Sequence, residues 1–161
     1  MRIRNTIAAL AAGSLLSTVL AAPAAATEAS LCGSIPGVTL IGTDGDDVLI
    51  GTIGTDEIHG NGGDDEIYGR GGSDALYGGH GSDQIFGEGC PDALTGGPGP
   101  DLLAGLAGDD ELRGGAGDDT LYSGVGVDDL DGEGGTDQCW ESWATATYDI
   151  VYLTYAGPYA C

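Results

Sequence analysis

Eleven aspartates recur at intervals of nine residues: Asp47, Asp56, Asp65, Asp74, Asp83, Asp92, Asp101, Asp110, Asp119, Asp128 and Asp137. Carboxylates at so strict a spacing suit two kinds of chemistry, general acid–base catalysis or the holding of cations. Acid–base work needs a distinct pair in a distinct pocket. Here the carboxylates recur without a unique member, and pairs such as Asp109–Asp110 recur with them. That is the layout of a lattice of equivalent cation sites. No Ser/His/Asp or Cys/His constellation stands out. His59 and His80 lie at different repeat positions and fit no zinc spacing.

The elements that must position the aspartates follow from the residues around them. Framed on glycine, the nonapeptides run from GTDGDDVLI (42–50) through GGAGDDTLY (114–122) to GEGGTDQCW (132–140) without an insertion. Position 1 is Gly in all but Ser123, position 4 is Gly in all but Cys90, and position 6 is always Asp. Position 8 is Leu or Ile until Cys139 takes it in the last block. A degenerate block, GSIPGVTLI (33–41), precedes them with Leu40 in place but Val38 where Asp belongs.

A short fixed period means stacked units, none of which can bury its apolar side chain alone. Three residues around each position 8 read as a short strand with one inward apolar side chain. The six residues before it turn the chain, and glycine permits the φ > 0 conformations that turning requires. Two strands and two turns close one coil of 18 residues, and coils stack about 4.8 Å apart. The predicted fold is all-β, a parallel β-roll (solenoid) around a narrow ladder of Leu and Ile, with caps at both ends.

Stacking sets each position-6 aspartate above the one two blocks away. Two carboxylates about 5 Å apart at an effective dielectric of about 20 repel by roughly 3 kcal/mol. Eleven blocks make nine such gaps, five on one side and four on the other. A thin core with a net stability of about 5–15 kcal/mol cannot absorb them all. A divalent cation in each gap reverses the sign, and glycine-rich turns bring backbone carbonyls close enough to complete its shell. Oxygen-only ligands on irregular loops suit Ca²⁺ better than Mg²⁺, which demands a tight octahedron. Up to nine inter-coil calcium sites are expected.

The pattern G-G-x-G-x-D-x-U-x resembles the haemolysin-type calcium-binding repeat (RTX), from residue 42 to residue 140. The resemblance implies a right-handed parallel β-roll with Ca²⁺ between adjacent coils. It also implies that turn carbonyls and the position-6 carboxylates, Asp47 through Asp137 as named above, are the ligands. Block six departs from the family with Cys90-Pro91 where Gly-x is usual. The chain also carries an N-terminal export signal, where RTX toxins and proteases carry a C-terminal one.

That signal is read from residues 1–26. Arg2 and Arg4 precede an apolar run from Ile7 to Leu20, and Ala24-Ala25-Ala26 offers a small-residue cleavage site. Residues 27–41 are expected to cap one end of the roll and 141–161 the other. The formal net charge of −22, with no lysine, disfavours nucleic acid and anionic membranes as partners and favours cations. Nothing beyond the signal is expected to insert in a membrane.

Four cysteines in an exported chain favour disulfides. Cys90 and Cys139 sit about two and a half coils apart, on the order of 12 Å, too far for a bond that needs Cα atoms within about 7 Å. Cys139 is instead expected to pair with Cys161, leaving Cys32 for Cys90. Trp140, Trp143 and four tyrosines gather in the tail and read as a cap over the open end rather than a sugar- or protein-binding face. Tyr68, Tyr77, Phe86 and Tyr122 at position 9 are expected to face outward, supporting neighbouring strands. Thr43 and Thr52 are too few for the threonine ladder of an ice-binding solenoid. The expected function is a secreted calcium-binding protein without enzymatic activity. The alternative is an adhesion or surface-matrix protein, with a cell-surface or glycan partner, that uses the roll as a calcium-locked spacer.

Overall fold

The computed structural model describes residues 32, 33, 35–140, 142, 143, 154, 155 and 161. The signal-peptide reading of 1–26 lies outside the described residues, as does most of the tail read as a cap. Fourteen strands follow one another with no helix among the described residues, so none there is long and apolar enough to cross a membrane. The first seven are β1 (Pro36–Ile41), β2 (Val48–Ile50), β3 (Thr55–Gly62), β4 (Glu66–Gly71), β5 (Ala75–His80), β6 (Gln84–Gly89) and β7 (Ala93–Pro98). The rest are β8 (Leu102–Ala107), β9 (Glu111–Ala116), β10 (Thr120–Val125), β11 (Asp129–Gly134), β12 (Gln138–Trp140), β13 (Ser142–Trp143) and β14 (Thr154–Tyr155).

Odd strands β1 to β11 form one six-stranded sheet and even strands β2 to β12 form the other. Every pairing within the two sheets is parallel. The register advances by one coil of 18 residues, so Glu66 faces Gln84 and Leu94 faces Leu112. The short pair β13 and β14 is antiparallel. This is the parallel β-roll that the period of nine requires. The degenerate block contributes β1, which extends the odd sheet one strand beyond the eleven blocks.

The strands are longer than the three residues expected. From β4 to β11 each has six, running through positions 7–9 and on through positions 1–3 of the next block. The turn is therefore only three residues, positions 4–6. Left-handed backbone falls inside the strand at position 2, where Asn61, Arg70, Gly79, Glu88, Gly97, Leu106, Gly115, Gly124 and Glu133 have φ between 62° and 121°. Five of those nine are not glycine, whereas positive φ in the turn, at position 4, is carried by the expected glycines Gly63, Gly72, Gly81, Gly99, Gly126 and Gly135, and by Cys90.

The core is the ladder of position-8 side chains. Ile58, Ile67, Leu76, Ile85, Leu103, Leu112, Leu121 and Cys139 are fully buried, and Leu94 nearly so. Leu40, Leu49 and Leu130 pack against them from near the ends. Burying each aliphatic side chain contributes about 1.5–3 kcal/mol, and each depends on the coil above and below. Outside the sheets, position-9 rings stack along the coils, Tyr68 on Phe86 with centroids 5.1 Å apart and Tyr122 on Trp140 at 6.0 Å. His59 stacks on Tyr77 and bonds Glu57.

Both expected disulfides are present. Cys139 bonds Cys161 with Cα atoms 5.9 Å apart, and Cys32 bonds Cys90 at 5.7 Å. The second ties the segment before β1 to the block-six turn. It borders a cleft of about 390 Å³ lined by Ile35, Ile53, Arg70 and Cys90.

Candidate metal centre

Each position-6 aspartate ends a turn just before a strand, except Asp56, which lies within β3, and the turns form two rows along the edges of the roll. From Asp56 to Asp119 these side chains are buried, Asp83 and Asp119 to 1% exposure, and Asp137 is nearly so. Burying a carboxylate is unfavourable unless donors or a cation compensate it. One oxygen is compensated by the chain itself. Oδ1 of each aspartate from Asp65 to Asp137 accepts the N–H of the aspartate one coil earlier, at 2.8–3.0 Å. The nine gaps are thus bridged by nine main-chain donors. Asp56 Oδ1 accepts the same kind of bond from Val38 N–H at 2.6 Å.

The second oxygen is another matter. Oδ2 of Asp65, Asp74, Asp83, Asp92, Asp101, Asp110 and Asp119 is buried with no hydrogen-bond partner. An unsatisfied buried acceptor costs about 1–3 kcal/mol, more when charged, and seven in a row cannot be incidental. Their acidity records the cost. Burial, reinforced by neighbouring carboxylates and opposed by the N–H bond to Oδ1, pushes Asp92 up to about 9 and Asp101 up to about 7. Asp74 and Asp110 rise to about 6 by the same causes, and Asp65, Asp83 and Asp119 also rise.

Position-1 glycine makes room for this oxygen. A Cβ on Gly69 would lie 2.6 Å from Asp74 Oδ2 and 2.9 Å from the carbonyl oxygen of Gly87 in the next coil. At Gly87 the same point lies 2.5 Å from Asp92 Oδ2 and 3.0 Å from Gly105 O. At these two glycines a side chain would crowd both the carboxylate oxygen and the carbonyl oxygen of the adjacent coil; block ten departs, with Ser123 at position 1. Among the described residues no three His, Cys, Asp or Glu side chains gather as a metal-holding group. A cation here would therefore take most of its ligands from the main chain. One hard anionic oxygen with main-chain carbonyls of the adjacent coil suits Ca²⁺, which accepts 6–8 oxygens in irregular geometry.

The expected ligand aspartates do not all share this setting. In blocks three to nine Oδ2 is orphaned. Asp47 and Asp56 differ, because the N–H groups of Thr43 and Thr52 each reach the Oδ2 of their block at 2.6 Å. Both threonine hydroxyls bond the same carboxylates. Asp128 is half-buried, and Asp137 lies in the last coil. Block six keeps the common geometry despite its sequence: Cys90 takes φ 79°, and Asp92 is as buried as its neighbours.

Sequence reasoning passed over two sets of residues. Thr43 and Thr52 were legible, because a threonine four residues before an aspartate in a turn is a local side-chain bonding signature. The position-5 aspartates were not. Asp46, Asp64, Asp109 and Asp118 accept the position-5 N–H of the following coil at 2.9–3.0 Å, and that donor is main chain whatever its residue. The glycine Cβ positions and the orphaned oxygens are likewise properties of the folded chain alone. Beside these observations stand the comparisons with known proteins. No curated protein and no solved structure matches the chain. A family profile described as RTX calcium-binding nonapeptide repeat (4 copies) matches at residues 41–76, 59–89, 68–103, 95–130 and 105–139.

Proposed function

The chain belongs to the family of RTX calcium-binding nonapeptide repeats, and from that premise we propose a secreted binding module whose folding is driven by calcium. The observation that carries this reading is the row of seven buried Oδ2 atoms without partners. Bound Ca²⁺ supplies the positive charge that those oxygens lack. The chain's own part is to bury the carboxylates, fix them through Oδ1, and present carbonyls from the adjacent coil. Without the ion the carboxylates resist burial, and a chain of −22 with so slight a core has the composition of a disordered segment. Sites of extracellular affinity, Kd about 10⁻⁴–10⁻³ M, fill outside the cell and stay empty in the cytosol. The chain then stays unfolded until export, in keeping with the N-terminal segment read as a signal. A binding module rather than an enzyme is supported by carboxylates that repeat along the roll instead of converging at one pocket.

Calorimetric titration tests the reading. Calcium chloride is expected to give saturable heat for several ions per chain in the submillimolar to millimolar range, and magnesium chloride far less. Equal heats, or none, would overturn it.

One observation favours the adhesive-spacer reading as a second. The position-7 and position-9 residues of the even sheet, Val48, Ile50, Glu66, Tyr68, Gln84, Phe86, Leu102, Ala104, Thr120, Tyr122, Gln138 and Trp140, hold one charge, and the position-2 charges beside them, Arg70 and Glu88, are opposite in sign and lie on paired strands. A nearly uncharged aromatic face on so acidic a protein suits a neutral polymer such as a glycan. Retention on insoluble neutral polysaccharide in calcium buffer would support it, and free elution would dismiss it.

A further inference from the structure

We infer that the first coil takes no calcium at Asp47 or Asp56 and is a cap built without metal, so that the calcium-holding array begins at Asp65. The inference rests on the calcium reading above and adds which repeats use the ion.

The two kinds of block share a formula and differ in the turn. In blocks one and two, position 2 is threonine, and neither Thr43 nor Thr52 has positive φ. A β-branched side chain is a rare occupant of the left-handed region, which the next nine blocks all adopt at position 2. Without that backbone turn, the Thr43 and Thr52 N–H groups point at the carboxylate oxygen that is orphaned elsewhere. Each hydroxyl completes the net. It donates to the aspartate and accepts the position-4 N–H, from Gly45 at 3.2 Å and from Gly54 at 3.0 Å. Position 4 does not divide the blocks in the same way: φ is positive at Gly63, Gly72, Gly81, Cys90 and Gly99, but not at Gly45 or Gly54, nor at Gly108 or Gly117 among the interior blocks.

The consequences for a cation are direct. Asp47 Oδ2 and Asp56 Oδ2 already hold two donors each. A cation there would have to displace a main-chain N–H and a hydroxyl, and it would face the positive end of the N–H dipole. The room left by position-1 glycine is the same, because a Cβ on Gly51 would lie 2.5 Å from Asp56 Oδ2 and 2.7 Å from Gly69 O. What differs is that the oxygen is satisfied. The gap between blocks one and three is closed further by Asn61, whose Nδ2 donates to Gly42 O at 2.9 Å.

The test counts bound calcium by equilibrium dialysis against calcium chloride, with far-UV circular dichroism to confirm folding. Asp47→Asn and Asp56→Asn are expected to bind as many ions as the parent, whereas Asp101→Asn loses at least one. A lost ion in either first-coil variant would overturn the inference while leaving the calcium reading intact. A parent chain that binds none would end both. A second variant covers the case in which a first-coil Asn variant does not fold. Thr43→Gly with Thr52→Gly, which gives these blocks the position-2 residue of blocks five, seven and nine, is expected to raise the count. An unchanged count in that variant would contradict the role assigned to the threonines.

Discussion

The first coil and the interior coils obey one nonapeptide formula, yet they settle their position-6 carboxylates in different ways. In the first, a threonine supplies an N–H and a hydroxyl to Asp47 and Asp56. In the interior, position 2 turns left-handed and seven aspartates are left with one bare oxygen. The formula therefore fixes where a carboxylate sits, and a variable position fixes what it requires. On the inference above, threonine at position 2, outside the signature positions, is what separates a capping repeat from a cation-binding one.

The largest effect that sharpens this contrast is expected at position 4. A Cβ on Gly72, at φ +121°, would lie 2.5 Å from the carbonyl carbon of Gly54 and 2.9 Å from the Thr55 nitrogen, all backbone. On Gly45 in the first block it would meet only the Thr43 hydroxyl, at 3.9 Å. Gly72→Ala should abolish calcium-induced β structure at any calcium concentration. Gly45→Ala should change stability by no more than about 0.5 kcal/mol. Similar losses in denaturant titrations of the two variants would erase the distinction.

Next comes the tie between the regions. The Cys32–Cys90 bond joins residues 58 apart in sequence, across the segment before the first coil and the block-six turn. On the chain-entropy argument it contributes about 4 kcal/mol, and the Cys139–Cys161 bond, closing 22 residues, about 3 kcal/mol. Replacing each pair by serine should raise the calcium needed for folding, more for the first pair. The reverse order would show that the end of the roll depends on its tail more than on its start.

Core truncations should grade the same way. Leu103→Ala empties a fully buried site and should cost about 2–5 kcal/mol, whereas Leu49, only partly buried near the open end, should cost clearly less. Urea midpoints in saturating calcium measure both. Equal costs would mean that the first coil is as tightly packed as the interior.

The smallest effect is that of pH on the metal-free chain. Folded-state values for Asp74, Asp92, Asp101 and Asp110, about 6 to about 9, lie above the ordinary carboxylate value near 3.9. The folded form thus holds more protons than the unfolded one between roughly pH 4 and pH 9, and its stability falls as pH rises through that window. In chelator, residual β signal should be higher at pH 5 than at pH 8. A lower signal at pH 5 would mean that burial of these carboxylates is not what opposes metal-free folding.

Much of this is legible in the sequence alone. The period of nine dictates the coil, position 8 supplies the core, and coil spacing separates the two disulfides from the rejected Cys90–Cys139 pair. The position-6 aspartates are legible as a column, and their repulsion points to a cation. What escapes is orientation. Nothing in the letters says that Oδ1 is met by a main-chain N–H one coil back while Oδ2 is not. The glycines mislead in part, because position 1 is glycine for space, and positive φ at position 2 is shared by Asn61, Arg70, Glu88, Leu106 and Glu133 with Gly79, Gly97, Gly115 and Gly124. Thr43 and Thr52 are visible too, but as a surface ladder they are too few to matter. Their distance along the chain to Asp47 and Asp56 is what carries the meaning.

The dependence of the fold on the ion is most directly tested by far-UV circular dichroism of the purified protein, first in EGTA and then in millimolar calcium chloride at constant pH. A coil-like spectrum in EGTA that converts to a β spectrum with calcium, and reverts when chelator is restored, is the expected outcome. The same β spectrum in both solutions would mean that the seven buried carboxylates are tolerated without metal, and that calcium does not drive the folding of the roll.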